Sequence, residues 1–259
     1  MGSPVVEFAP NYETEPPFCQ PDQRYMVYKL RTRLLEALFP SICRLCGTRL
    51  SAQPDLCADC MRDLPRLQHG CGQCGRSLSG TSNARHCGRC QRQPPHYDQT
   101  TALCHYQPPV DYLLKRLKFS SDLGLGPLLA GLLADKLRQR DHPMPELLLP
   151  VPLHPRRLRQ RGFNQAIELA RPLGKLLGIP LDRTLCRRTR HTEAQSLLST
   201  TARRLNMRHA FTVTGKPAAA HVAIIDDVMT TGHTVGELAR MLKRAGVIKV
   251  EVWVIARAG

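Results

Sequence analysis

The chain has 259 residues, enough for one or two domains with a real core. Its formal net charge of +16 and isoelectric point near 9.8 favour anionic partners: nucleotides, nucleic acid or an acidic surface. Aromatic residues make up only 5% of it, so no stacking platform for single strands is advertised. No segment reaches the roughly 18–20 consecutive apolar residues of a membrane-spanning helix.

The segment from Met1 to Gln23 carries Pro4, Pro10, Pro16, Pro17 and Pro21 and shows no apolar periodicity. Such a composition cannot bury enough surface to order itself, so residues 1–33 are expected to form an extended, disordered N-terminal extension. The segment is acidic and lacks a basic-then-apolar export signal, so the expected compartment is the cytoplasm. Organised pattern begins just after Met26, which makes that residue a candidate native start.

Eleven cysteines follow an uneven distribution, and eight of them form four Cys-x-x-Cys pairs. These are Cys43/Cys46, Cys57/Cys60, Cys71/Cys74 and Cys87/Cys90. Such a knuckle presents two thiolates on one tight turn, and zinc takes four in a tetrahedron. Four knuckles therefore make two sites, and Gly47, Gly72, Gly75 and Gly88 suit the turns. The short spacers favour pairing in sequence order over crossed pairing. Disulfides are disfavoured without an export signal, and a thioredoxin-like site needs one pair beside a βαβ pattern rather than four in a loop-rich stretch. Coordination by cysteine alone leaves no open position, so both zinc ions are expected to be structural. Large apolar residues are few between Cys43 and Cys90, so the metals are expected to replace a missing core. Cys19, Cys104 and Cys186 read as ordinary free or buried thiols.

Beyond a proline-containing link at Gln93 to His96, Thr100 to Tyr106 reads as a strand. Val110 to Phe119 and Leu123 to Leu137 carry apolar residues at helical spacing. Leu147 to Leu153 is a short apolar run bounded by prolines, hence a buried strand. It exits into a basic loop, His154 to Arg161, followed by Gly162, Phe163 and Asn164. Asn164 is a candidate N-cap for a helix from Gln165 to Leu177, with Pro172 as a candidate kink. Arginine forks bind phosphate oxygens bidentately, so this exit loop is a candidate pyrophosphate holder. Arg187 to Met207 is polar and free of glycine and proline; a mobile flap and a solvated helix are equally compatible with it. A strand at Ala210 to Val213 follows.

The run His221 to Thr234 carries the most chemistry. Apolar residues lead into Asp226 and Asp227, then Thr230, Thr231, Gly232, His233 and Thr234. A helical pattern, Val235 to Ala245, is closed by Gly246, and a strand-like run from Val247 to Ile255 completes a βαβ unit. Ligands of such units bind beyond the strand's carboxyl end, with anions on the helix N-terminus. Backbone and hydroxyl donors suit a phosphate, and two carboxylates suit vicinal hydroxyls. Together they describe a ribose 5-phosphate.

The Asp226-Asp227-x-x-Thr230-Thr231-Gly232-x-Thr234 pattern resembles the phosphoribosyl-pyrophosphate (PRPP) loop of type I phosphoribosyltransferases. Together with the knuckles Cys43 to Cys90, Lys118-Phe119, Pro152, Arg161 to Gln165, Thr192-x-x-Gln195 and Arg204-x-Asn206, the chain is similar to the ComF, or competence-protein F, family. The similarity covers nearly everything from about Leu34 onward. His233, where a small residue is more usual, is a departure that leaves the phosphate cradle intact, because that position contributes chiefly backbone. The resemblance implies an α/β fold: a five-stranded parallel sheet of the type I phosphoribosyltransferase kind with helices on both faces and a small hood (residues 96–259), preceded by a small double zinc ribbon (residues 34–95). It implies that Asp226 and Asp227 hold ribose hydroxyls and that Thr230 to Thr234, with Gly232 and His233, cradle the 5-phosphate. Pro152, Arg157, Arg161 and Asn164 would hold pyrophosphate, and Arg188, Thr192 and Gln195 would belong to a flexible loop. Mg²⁺ would accompany PRPP. Two function classes follow: a phosphoribosyltransferase of unread acceptor, or a DNA-uptake accessory that senses PRPP and contacts single-stranded DNA and a DNA-translocation helicase. A dimer is compatible with either.

Overall fold

A computed structural model describes residues 41–50, 55–78, 85–189 and 210–259. The expected N-terminal extension, Met26 and Cys19 lie outside these residues. The first elements are two short helices, α1 (Ala58–Arg62) and α2 (Gly88–Arg92). They are followed by β1 (Gln99–His105), α3 (Val110–Phe119), α4 (Leu125–Arg138) and β2 (Leu147–Pro150). Next come α5 (Pro155–Arg161), α6 (Gln165–Leu177), β3 (Cys186–Arg188) and β4 (Phe211–Val213). The chain closes with β5 (His221–Met229), α7 (His233–Arg244) and β6 (Lys249–Arg257).

Four strands form a parallel sheet in the order β1-β6-β5-β2. Its central strands are apolar on both faces, as parallel sheets covered on both sides must be. Ala223 and Ile225 of β5, with Trp253 and Ile255 of β6, share a core with α3, α4 and α6. The alternating Val222, Ile224, Val250, Val252 and Val254 share a second core with α7. The helices thus lie on both faces, as expected. The fifth strand is reduced to a single parallel bridge, Leu148 to Leu181, outside β2. Pro180 has no N–H to extend the ladder, and the Asp182 carboxylate accepts the Thr184 and Leu185 N–H groups, turning the chain away. β3 and β4 form a separate antiparallel pair.

The two ribbons repeat one design. A hairpin closes around the first knuckle, with Gly47 (φ +76°) and Gly75 (φ +66°) in the left-handed turn. The second knuckle begins at the N-cap of a helix, Cys57 for α1 and Cys87 for α2. Gly72 and Gly88 need no such conformation. The metals do not replace the core alone: Leu56 and Leu64 are buried in the cluster shared with α3 and α4. Arg44 joins Asp55 (3.0 Å) to Asp122 (2.8 Å), and Arg116 reaches the same Asp122 (2.6 Å). The connector between the ribbons covers the free edge of β1, with Leu67 N–H donating to Leu103 O and His105 N–H to Pro65 O.

Candidate functional site

The eight knuckle cysteines gather as Cys43/Cys46/Cys57/Cys60 and Cys71/Cys74/Cys87/Cys90, with all sulfurs of a cluster within 4.8 Å of one another. Cys46 Sγ lies 3.7 Å from Cys57 Sγ, and Cys74 Sγ 3.7 Å from Cys87 Sγ. A zinc–sulfur bond of about 2.3 Å places tetrahedral sulfurs about 3.8 Å apart, so the clusters fit zinc and pair in sequence order. Cys60 N–H donates to Cys57 Sγ and Cys87 N–H to Cys71 Sγ. Burial raises the Cys43 thiol, but N–H groups of Cys46, Cys57 and Leu45 outweigh it and leave it at about 6. These are two structural zinc sites. Cys104 and Cys186 are buried thiols raised by desolvation, as their lone spacing suggested.

β5 runs to Met229, so Asp226 and Asp227 sit within the strand rather than at its end. Only Thr230, Thr231 and Gly232 remain as loop before α7, which starts two residues earlier than its apolar pattern indicates. Gly232 is the N-cap at φ +79°, and a Cβ there would meet Met229 Cε at 2.8 Å and Tyr97 Oη at 2.9 Å. Only glycine satisfies both restrictions. Thr230 is exposed, and Thr231, His233 and Thr234 are half-buried. Asp227 is buried and ion-paired with Lys118 Nζ at 2.6 Å. Loss of water and then the Asp227 charge push the Asp226 carboxyl up to about 8. The two carboxyl groups present adjacent oxygens, which suits vicinal hydroxyls.

The basic exit from β2 is not a loop. Pro155 to Arg161 forms α5, with Pro at the first helical positions, the His154 ring accepting the Arg156 N–H, and Gly162 closing it at φ +82°. The sequence carried these capping signals beneath its charge pattern. Pro152 lies in the short link before it. Arg161 feels the Asp227 carboxylate and the Arg157 cation, and stacks 5.4 Å from the exposed ring of Phe119. Burial lowers Arg188 most, Arg157 adds to this, and Asp226 opposes it. Arg161 and Arg188 thus lie within electrostatic reach of the carboxylate pair, with the Arg157 cation beside both. Asn164 is spent inside the fold: its amide donates to Val151 O (3.0 Å) and its oxygen accepts the Ala166 N–H (3.0 Å). It positions α6 against β2. Thr192, Gln195 and the remainder of the expected flap lie outside the described residues.

Two residues with no sequence signal complete the surroundings. Arg257 is buried at the end of β6, where Nε donates to Cys74 O (2.8 Å) and Nη1 to Met229 O (3.1 Å). Nη1 also donates to Thr230 O and Ala258 O. One guanidinium therefore ties the second zinc cluster to the start of the loop between β5 and α7. Tyr97 packs against Gly232 from the same side. Neither role is readable from spacing, because Cys74 and Arg257 are 183 positions apart.

A parallel sheet with a carboxylate pair and a Thr-Thr-Gly helix cap, joined to two four-cysteine centres, defines a phosphoribosyltransferase-type protein bearing a double zinc ribbon. Residues 34–91 match the double zinc ribbon domain family, and residues 160–259 match the phosphoribosyl transferase domain family. Competence protein F of Haemophilus influenzae is 36% identical over 214 residues, covering 80% of this chain and 92% of that protein. DNA utilization protein YhgH of Escherichia coli K12 is 35% identical over 223 residues, covering 84% and 97%. The chain belongs to this competence protein F (ComF) family. Among solved structures it is similar to a glutamine PRPP amidotransferase from B. subtilis, with 18% identity, a TM-score of 0.37, and coverage of 55% of this chain and 30% of that one.

Proposed function

We propose that this chain binds PRPP with Mg²⁺ and transfers its phosphoribosyl group to a nitrogen nucleophile. The supporting observation is the carboxylate pair leading within a few residues to the Gly232 cap of α7, with Lys118 held on Asp227. In this reading the zinc ribbon spans residues 34–95 and the transferase domain 96–259. Asp226 and Asp227 hold the ribose hydroxyls, and Thr230 to Thr234 cradle the 5-phosphate on backbone and hydroxyl donors. Arg157, Arg161 and Arg188 face the pyrophosphate, and the Pro152 link sets the approach of α5. Mg²⁺, when bound, would neutralise charge on the pyrophosphate that these residues face. Departure of pyrophosphate leaves positive charge at C1, which the ionised member of the carboxyl pair stabilises. The rest of the rate comes from holding donor and acceptor in line. Pyrophosphate release from PRPP, measured against a panel of nucleobases with zinc-replete protein, tests the transfer. Release that no base accelerates argues against it.

A second reading makes the chain a DNA-uptake accessory for which PRPP is a regulatory ligand. The net charge of +16 and the arginines of α5 support it, as do the names of its relatives, one for competence and one for DNA utilization. Its partners would be single-stranded DNA and a DNA-translocation helicase, in the cytoplasm. No helix among the described residues is long and apolar enough to cross a membrane. Anisotropy of a labelled single strand tests this reading. Log affinity should fall with log salt by about 0.7 per phosphate contact, and a flat response rejects it.

A further inference from the structure

A cleft of about 710 Å³ lies between the second zinc ribbon and α7, outside the carboxylate pair. That size falls in the range of organic-ligand sites. Five guanidinium groups line it: Arg76, Arg89, Arg240, Arg244 and Arg257, with Glu237 among them. Glu237 is held by Arg240 through two bonds, at 2.9 and 2.6 Å. Arg257 is turned to backbone carbonyls. Arg76, Arg89 and Arg244 have no carboxylate in ion-pair reach among the described residues. They arrive from three separate elements: the second hairpin, α2 and the last turn of α7.

Part of this positive charge answers the zinc cluster, whose Cys74 and Cys90 reach the cleft. Zinc with four thiolates carries a net charge of about −2. Among the described residues, five guanidinium groups outweigh that and the one carboxylate of the lining, leaving about +2. Like charges gathered around an open cavity repel one another, and a bound anion removes that cost. A phosphate monoester carries about −1.5 to −2 near neutral pH and accepts several arginine forks. Pro94, Pro95 and Tyr97 add apolar lining suited to a flat ring.

We propose that this cleft is a second anion site that takes the 5′-phosphate monoester of a nucleotide. A free mononucleotide and the phosphorylated 5′ end of a strand present the same group. The cleft shares Thr231, Gly232 and His233 with the phosphate-type loop. Its occupant therefore couples to whatever the loop binds, and the coupling is reciprocal. The site stands whether or not the chain transfers phosphoribose.

Calorimetry with AMP, with a 5′-phosphorylated thymidine oligomer and with the same oligomer lacking the phosphate tests the assignment. The double variant Arg89→Glu/Arg244→Glu should weaken the phosphate-bearing probes at least tenfold, while PRPP·Mg²⁺ binding and two zinc ions per chain are retained. Asp227→Ala should weaken PRPP and leave AMP unchanged. AMP binding identifies a free nucleotide as the source; binding of the phosphorylated oligomer alone identifies a strand end. The exposed single change Arg244→Ala repeats the test should the double variant lose its zinc. The proposal is overturned by failure of both phosphate-bearing probes to bind wild-type protein. It is equally overturned by binding indifferent to the arginine changes, or by loss of AMP binding in Asp227→Ala.

Discussion

Replacing Arg257 by methionine keeps an unbranched apolar stem in the core and removes the guanidinium that joins the second zinc cluster to the loop after β5. Four carbonyls lose a donor. Met229 O retains the Ala258 N–H at 3.0 Å, and Ala258 is partly exposed, so water substitutes at its carbonyl. The loss falls on Cys74 O and Thr230 O. At about 1.5–3 kcal/mol for each charge-assisted bond, the variant should lose about 3–6 kcal/mol. For a chain of this size that lowers Tm by roughly 6–24 °C. The second effect is local: with Thr230 O released, the three-residue loop is no longer pinned against β6, and PRPP affinity should fall even below the melting range. Thermal unfolding, zinc analysis and calorimetry with PRPP·Mg²⁺ read the effects separately. A Tm within about 2 °C of wild type, a shift worth no more than about 1 kcal/mol, together with unchanged PRPP affinity, would refute the role of Arg257 as the tie.

Two further outcomes are expected. Cys57→Ser leaves the first cluster with three thiolates, so the purified variant should hold close to one zinc per chain instead of two and lose solubility; elemental analysis reports it directly. Glu251 is fully buried and holds Arg140 through two bonds (2.8 and 2.7 Å), with Trp253 Nε1, His221 and Lys249 alongside. Burial opposes its charge, but Arg140 and Trp253 prevail and hold it at about 2. Glu251→Gln strands the Arg140 cation and should cost about 3–5 kcal/mol at pH 7. A carboxyl depressed in the folded state contributes stability above its unfolded value, about 4.3, and loses it as pH falls towards 2. Denaturant titrations of both proteins should therefore converge between pH 4 and 2, and a constant gap across that window would contradict the assignment.

Local pattern carried much of the fold. The bounds of α3 and α6 follow from apolar spacing plus, for α6, the Asn164 cap, since both signals are complete within one turn. Short spacers favour knuckle pairing in sequence order, and the sulfur clusters show that pairing. Charge misled at α5, where arginines suggested a loop although Pro155 and Gly162 marked a helix start and stop. The reduction of the fifth strand to one bridge turned on Pro180 and Asp182, which look innocuous alone. Within the site, Asp226 to Thr234 are contiguous and therefore legible. Arg257 and Tyr97 act across the sheet and a zinc cluster, so no window of sequence contains both ends of their contacts. Glu251 goes unread inside the strand-like run Val247 to Ile255, because its partner Arg140 is 111 positions away.

The central claim is that the segment Asp226 to Thr234 is a PRPP site, and binding measures it most directly. Calorimetry with PRPP and Mg²⁺ on wild type, Asp227→Ala and Thr231→Ala should show one site in the wild type. Each variant should bind more weakly by about 1.5–3 kcal/mol, roughly ten- to a hundredfold. Equal affinity in all three proteins would place the ligand elsewhere and contradict the claim.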